Sequence, residues 1–411
     1  MVAGVFALKQ KRCPICGNDK AIVFFRWENA VVHQQILMPT LQQAKQVRRG
    51  DITLAFCDVC GLIWNTTFNP KLLDYSGSYE ASQSLSPSFQ KYVAGIAKRL
   101  VAKYNLHSKE ILEIGSGDGF FLNLLCQLGN NRGVGFDPSW RSSGENSTPA
   151  SVTYIADYYS PRYARYQGDL LSCRHVLEHV PEPVGFLKDL ARLTQSRLPV
   201  FFFEVPNVPW SLRQLAFWDI YYEHCLYFSR ASLVYLFSVC GFDILMISEG
   251  LGGQYILIES RFQPGKREPP KRHFPRGVHQ LAREVAAFST GYQQAIEKWR
   301  EQLAQSTMNQ RVVIWGAGAK GVSFLNILNI QPEGIEFVVD INPKKHGTYV
   351  PGTGQRIVSP EYLTDYKPDI IMVMNPEYLP EIRDILDKMK VKARLLAVGT
   401  MKEQERHEIN R

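Results

Sequence analysis

The stretch "KEILEIGSGDGFFLNLLCQLG" (109–129) constrains the fold more than any other part of this 411-residue chain. An apolar run, three glycines at alternate positions (Gly115, Gly117, Gly119) and a second apolar run with helical spacing follow one another without a gap. Strand, tight turn and helix in that order open a doubly wound α/β sheet, because the helix must fold back to bury its apolar stripe on the strand it has just left. Two further strands fit the same sheet. "GVGFDPS" closes on Asp137, 22 residues after Gly115, and "VTYIAD" closes on Asp157. "DLLSCRHVLEHVPEP" supplies a fourth strand and a loop carrying His175 and His179, and "VGFLKDLARLTQ" the helix after it.

The spacing of the glycines bears on the ligand. Dinucleotide sites favour G-x-G-x-x-G, where a helix N-terminus meets a pyrophosphate. Here the spacing is G-x-G-x-G, and Glu113 precedes it. A carboxylate there repels a pyrophosphate and suits a cationic ligand. Asp137 is placed to hydrogen-bond ribose hydroxyls, and Asp157 to serve the adenine side. "EILEIGSGDG", "GFDPS" and "HVLEHVPEP" together resemble class I S-adenosylmethionine-dependent methyltransferases. The resemblance implies that the Glu113–Gly119 loop cradles the methionine end of the cofactor.

A second loop, "RVVIWGAGAKGVSFLNIL" (311–328), does match G-x-G-x-x-G at Gly316, Gly318 and Gly321, with Asp340 ending the next strand. Alone it reads as a site for NAD. The following "INPKKHGTYVPGTGQRIVSP" places two lysines and a His just beyond Asp340, groups that suit phosphates or sugar hydroxyls as well. Both readings stay open from sequence.

At the N-terminal end "CPIC" (Cys13, Cys16) and "CDVC" (Cys57, Cys60) are each followed by Gly, with 40 residues between the pairs. Two such knuckles let four thiolates surround one Zn²⁺, and the glycines supply the turns that aim backbone N–H groups at the sulfurs. With four Cys and no open position the metal is expected to be structural. A redox role for Cys13 and Cys16 leaves the second pair unexplained. Cys126, Cys173, Cys225 and Cys240 lie singly in apolar surroundings and read as core thiols.

These signals divide the chain into a zinc-binding module (1–70), a methyltransferase domain (71–260), a basic Pro-rich linker (261–276) and a C-terminal Rossmann-like domain (277–411). The net charge of +8 raises the question of nucleic acid, but the linker alone holds six basic residues against Glu268. Four prolines there favour a solvated, extended segment, and no Asp/Asn-Pro-Pro-Tyr/Phe element follows the fourth strand. Neither nucleic acid nor a membrane is expected as a partner. No apolar run reaches the roughly 18–20 residues of a membrane span. A cytoplasmic location, and a monomer or small homo-oligomer, are the expectations.

Between the strand "LPVFFFEVP" (198–206) and the helix "SLVYLFSVCGF" (232–242) lies "NVPWSLRQLAFWDIYYEHCLYFSR", far longer than an ordinary strand–helix connection. Insertions at this point can fold over the carboxyl ends of the strands, where the cofactor methyl would lie. Methylating carbon beside a carbonyl requires a base for the C–H proton and a donor for the enolate oxygen. Tyr221, Glu223 and His224 offer a phenol, a carboxylate to orient an imidazole, and a base, with His179 nearby in the fold. The same Glu-His pair can also serve as a buried, satisfied polar group.

The order of zinc knuckles, methyltransferase domain with "YYEHCLYFS", and C-terminal "WGAGAKGVSF", "VVDINPKKHGTYVPG" and "DIIMVMNPEY" is similar to that of C-methyltransferases acting on nucleotide-linked ketodeoxysugars. That resemblance covers essentially the whole chain. It implies His224 as general base, Tyr221 hydrogen-bonding substrate or enolate, and Glu223 and His179 in support. It also implies a nucleotide-linked sugar as substrate. In such enzymes the motif often reads Tyr-His-Glu-His; here Tyr222 stands at the first His, so a proton relay through that position is absent.

Overall fold

The computed structural model describes residues 12–74, 79–80, 82–140, 151–265 and 276–399. Most of the basic Pro-rich linker lies outside the described residues. The first sheet contains β1 (Ile22–Val31), β2 (Arg49–Phe56) and β3 (Ile63–Asn65), paired antiparallel in that order. β2 is its central strand, which is why its second half is buried without alternation.

The central sheet contains β4 (Glu110–Ile114), β5 (Arg132–Phe136), β6 (Val152–Ile155), β7 (Leu170–Arg174) and β8 (Val200–Pro206). The chain then forms β9 (Leu226–Tyr227), which lies elsewhere, before β10 (Phe242–Gly250) and β11 (Tyr255–Phe262) complete the sheet. Its order is β10-β11-β8-β7-β4-β5-β6. β4 to β8 run parallel, and β11 is antiparallel to both β8 and β10. Helices cover both faces, so "EILEI" and "VFFFEVP" can be apolar at nearly every position. This is the class I methyltransferase sheet.

The C-terminal unit begins with a single 30-residue helix, Val278–Thr307, where periodicity alone left one helix or two open. Five parallel strands follow: β12 (Val312–Trp315), β13 (Phe337–Val339), β14 (Arg356–Val358), β15 (Ile370–Val373) and β16 (Arg394–Ala397). Their order, β14-β13-β12-β15-β16, is Rossmann-like.

The long insertion after β8 ties the three sheets together. It forms a short helix (Val208–Arg213), a 3₁₀ turn (Phe217–Asp219) and β9. β9 pairs antiparallel with β3, Ile63 opposite Tyr227 and Trp64 opposite Leu226. The N-terminal sheet therefore takes its fourth strand from within the expected 71–260 domain, so backbone pairing crosses the expected boundary at residue 70. Phe217 stacks on Phe324 (6.1 Å between centroids), and Trp218 meets Trp299 and Phe324 edge-on. At the middle of the long helix, Phe25 and Tyr292 lie 5.0 Å apart. One continuous apolar core results.

Candidate active site

β4 ends on Glu113 and Ile114, and the chain turns at once through Gly115, Gly117 and Gly119, all with positive φ. A β-carbon on Gly115 would meet Val176 at 2.1 Å, and one on Gly119 would meet the Tyr154 hydroxyl at 2.2 Å. At Gly117 it would meet nothing within 4 Å, so that residue faces open space. Glu113 is fully buried; Ser172 Oγ donates to its Oε1 (3.3 Å), and Oε2 has no partner. Burial pushes its carboxyl up to about 8, against the pull of Arg174 and Ser172.

Asp137 ties the end of β5 back to this loop. It accepts from Gly117 N (2.8 Å), Ser139 N (2.8 Å) and Ser139 Oγ (2.5 Å). A carboxylate has about four acceptor sites, so capacity for a ribose hydroxyl remains. Asp157 is engaged differently from its expected adenine-side role. Its carboxylate accepts from the Tyr163 hydroxyl (2.7 Å) and from Tyr158 N (2.8 Å), and pairs with Arg162 (3.2 Å). The Tyr163 bond, followed by that of Tyr158, holds the carboxyl below the usual range.

The YYEH segment separates into residues with opposite surroundings. Tyr222 is buried, its hydroxyl accepting from Asn69 N (3.0 Å), and it fills the space over Gly50. Glu223 does not orient His224, contrary to the expectation from their adjacency. Its carboxylate accepts from His33 Nδ1 (3.0 Å) and Gln34 N (3.3 Å), both in the loop just past β1. Asp74 N donates to His33 Nε2 (2.9 Å), which fixes the His33 proton on Nδ1. Glu223 is thus the buried, satisfied polar group of the two readings.

His224 faces the methyltransferase sheet. Its ring lies edge-on to His179 (4.9 Å) and to Tyr221 (4.8 Å). Burial, reinforced by His179 and His175, holds its imidazole well below the ordinary range. The ring is therefore neutral, and able to accept a proton, at pH 7. His179 sits in the 3₁₀ turn Leu177–His179 just past β7, and its Nδ1 donates to the Glu223 backbone oxygen (2.9 Å). The insertion thereby reaches the carboxyl end of β7, as its length suggested.

Tyr221 donates to Asp219 Oδ1 (2.6 Å), and Ser211 Oγ donates to Asp219 Oδ2 (2.7 Å). Burial, then the Asp219 charge, holds the phenol well above its usual range, so it keeps its proton. Asp219 also lies 3.4 Å from Lys320 Nζ. Lys320 lies within the second glycine loop, just before Gly321, reaches Gln254 Oε1 (2.8 Å) and rests 4.7 Å from the centre of the Trp210 ring. Sequence reasoning passed over both Asp219 and Lys320; the unspoken signal was an Asp two residues before Tyr221.

The C-terminal loop uses its own polar groups internally. Asp340 accepts from Ala317 N (2.9 Å) and pairs with Lys345 (3.5 Å), whose Nζ also donates to Ala317 O (3.0 Å). Lys344 pairs with Glu80 (3.0 Å), and His346 Nε2 donates to Asp340 O (2.7 Å). The lysines and His that sequence offered to phosphates are engaged within the chain.

The two Cys knuckles have the same geometry. Cys13 N donates to Asn18 O and Cys57 N to Leu62 O, each at 2.8 Å, and Gly17 and Gly61 turn with φ of 73° and 78°. The four sulfurs lie within 4.8 Å of one another, with Cys13–Cys60 and Cys16–Cys57 at 3.5 Å. A tetrahedral ion with sulfur at about 2.3 Å needs separations of about 3.8 Å. The donor set fits such an ion.

A family described as a methyltransferase domain matches residues 89–247, and one described as a C-methyltransferase C-terminal domain matches 276–396. C-methyltransferase NovU of Streptomyces niveus is 25% identical over 399 residues, covering 90% of this chain and 91% of that protein. The ubiquinone biosynthesis O-methyltransferase of Proteus mirabilis (strain HI4320) is 27% identical over 137 residues, 31% of this chain and 53% of that one. Magnesium protoporphyrin IX methyltransferase of Synechocystis PCC 6803, solved with bound S-adenosylhomocysteine, covers 46% of this chain and 91% of its own at 16% identity and a TM-score of 0.35. The sheet, its glycine loop and the matched domain define an S-adenosylmethionine-dependent methyltransferase. With the C-terminal domain matched as well, it is a C-methyltransferase. Among the described residues no helix is long and apolar enough to cross a membrane.

Proposed function

We propose that the protein methylates the carbon alpha to a ketone in a nucleotide-linked deoxysugar, with His224 as the base that forms the enolate. The observation that carries this reading is His224 itself: a half-buried imidazole, kept neutral, between His179 and Tyr221 at the carboxyl end of β7. Oxygen and nitrogen acceptors need little beyond positioning, whereas a carbon acceptor needs such a base. The similarity to C-methyltransferase NovU over nine-tenths of both chains supports carbon as the atom methylated, and the sequence resemblance to ketodeoxysugar C-methyltransferases supports an activated sugar as the acceptor.

The residues of the first glycine loop fit S-adenosylmethionine. Gly117 leaves open space, Asp137 retains acceptor capacity, and Glu113 holds an unpartnered oxygen suited to a cation. When bound, the cofactor supplies an electrophilic methyl. The chain's own work is to hold it against the loop, remove the alpha proton onto His224 and steady the substrate through His179 and Tyr221. Because the Tyr221 proton is directed at Asp219, its oxygen is the side turned to the substrate, as an acceptor from a sugar hydroxyl. The four Cys would hold a structural Zn²⁺, Asp157 would flank the adenine through the turn it braces, and the C-terminal domain would enclose the nucleotide. A division near residues 70, 260 and 277 and a cytoplasmic setting complete the reading.

The test is incubation of purified protein with S-adenosylmethionine and a panel of nucleotide-linked 4-ketosugars in D₂O, followed by NMR and mass spectrometry. Wild type should exchange the proton alpha to the ketone and add a methyl at that carbon, and His224→Ala should do neither. If S-adenosylmethionine binds but no sugar exchanges or gains mass, the sugar assignment is wrong and another carbonyl acceptor takes its place.

A further inference from the structure

We propose that Glu178, not Glu223, is the carboxylate behind His224, acting as counter-charge to the imidazolium that forms when the alpha proton is removed. This rests on the reading of His224 as the base. Glu178 occupies the 3₁₀ turn directly after β7 and is 1% exposed. Neither of its carboxylate oxygens has a hydrogen-bond partner. Its carboxylate and ring nitrogens of His179 and His224 lie within 4.8 Å of one another, and His175 Nδ1 is 3.6 Å from its Oε1.

A buried carboxylate ordinarily gathers donors, because leaving its lone pairs dry is costly. Glu204, against the other nitrogen of the His175 ring, shows the ordinary solution. Tyr92 donates to it and Arg174 pairs with it at 2.6 Å, so Arg174 keeps it below the usual carboxylate range although burial opposes this. Glu178 has only the His175 ring beside it, 3.6 Å from Oε1 and beyond hydrogen-bond distance. Its oxygens are thus left for a cation that appears during function, and the proposed chemistry makes one at the right place. The alpha C–H bond breaks, its electron pair passes into the enolate, and the proton lands on His224 as a positive charge facing Glu178. Glu223 is excluded from this part because its oxygens face His33 and Gln34.

The other titratable groups facing this pocket are His175 and His179 beside Glu178, Cys173 on β7, Glu204 on β8 beyond His175, Asp219, Tyr221, Cys225 and Tyr227 from the insertion, and Tyr255 from β11. None of these is a second carboxylate in contact with the His224 ring, since Asp219 reaches it only through Tyr221.

Glu178→Gln preserves shape and removes the charge, so it separates the electrostatic role from packing. In the full-length chain with ¹³C-labelled histidine, the His224 resonance, assigned by its loss in His224→Ala, should titrate about one pH unit lower in Glu178→Gln than in wild type. With thymidine-diphosphate-linked 4-keto-6-deoxyglucose in D₂O, the acid limb of the alpha-proton exchange rate should move down likewise, and the plateau rate should fall about 30-fold with little change in KM. Glu178→Asp, which keeps the charge, should recover part of both, including when Glu178→Gln folds poorly. An unmoved His224 titration in a folded Glu178→Gln overturns the proposal. So does a second metal ion per chain, beyond that of the Cys knuckles, that disappears in the same variant, since Glu178 would then be a ligand. Persistence of exchange in His224→Ala would instead sink the base reading itself.

Discussion

Replacing Glu223 by Ala should unfasten the N-terminal sheet from the insertion while leaving the proton chemistry in principle intact. Two buried donors lose their acceptor: His33 Nδ1–H at 3.0 Å and Gln34 N–H at 3.3 Å. The His33 ring cannot compensate by changing tautomer, because Asp74 N donates to its other nitrogen. Each stranded donor costs about 1–3 kcal/mol, giving about 2–6 kcal/mol before any loss of packing. Taking about 4 kcal/mol, and tenfold for each 1.4 kcal/mol, local opening around residues 31–35 should become roughly a thousand times more frequent. Glu223→Gln keeps one acceptor oxygen and should lose only about 1–3 kcal/mol. Hydrogen–deuterium exchange read by mass spectrometry over residues 30–36 measures this directly, and suits a chain of several packed units better than a single melting temperature. The reasoning is refuted if Glu223→Ala keeps wild-type protection there and yet abolishes exchange of the sugar's alpha proton. The carboxylate would then act on the chemistry, and its bond to His33 would be incidental.

Three further outcomes follow from the same contacts. Cys57→Ser, or removal of metal by a strong chelator, should release about one zinc per chain and raise exchange in β3 and β9 together, as measured by metal analysis and deuterium uptake. At pH 7 the Glu113 carboxyl, raised to about 8, is protonated in the free protein; its neutral form stabilises the fold at low pH, and that contribution declines as pH rises from about 4.5 through 8. Binding of cationic S-adenosylmethionine beside it should therefore release close to one proton, detected by calorimetry in buffers of different ionisation enthalpy and absent in Glu113→Gln. Lys320→Met removes the cation 3.4 Å from Asp219 and should lower turnover by about tenfold, with cofactor affinity unchanged by titration calorimetry, because it acts on the Asp219–Tyr221 pair and not on the first glycine loop.

The elements that sequence displayed clearly are those governed by local rules. β4, β7 and β8 are continuous apolar runs between turn residues, and Gly115 and Gly119 sit where a side chain would strike Val176 and Tyr154. The four cysteines were equally legible, since a knuckle is a local turn repeated twice. What depended on contacts between distant segments was not. Glu223 and His224 are adjacent in the chain, yet one belongs to a partner 190 residues away and the other to the turn after β7. Glu178 lies in "HVLEHVPEP", where sequence does not mark it, because an acidic residue in a loop ordinarily faces water. The lysine at 345 reads from sequence as a phosphate ligand and is instead buried against Asp340 and Ala317 O.

The chain brings His224, the base of the proposed reaction, into place through a route that begins at the cysteine knuckles. Cys57 and Cys60 fix the turn that starts β3, and β3 pairs with β9, whose first residue is two positions past His224. Glu223 adds a second tether, through His33 in the loop just past β1 of the same sheet. A two-residue strand has too few backbone bonds to hold itself, so the position of His224 depends on the sheet that β9 joins. From the opposite side, the Tyr221–Asp219–Lys320 chain links the same loop to the C-terminal glycine turn. The insertion is thus held at both ends by units that contribute no base of their own. A methyltransferase that only positions an oxygen or nitrogen acceptor has little use for such support. One that must keep a neutral imidazole aligned with a C–H bond gains from it, since misplacing a base by about 1 Å can cost a hundredfold in rate.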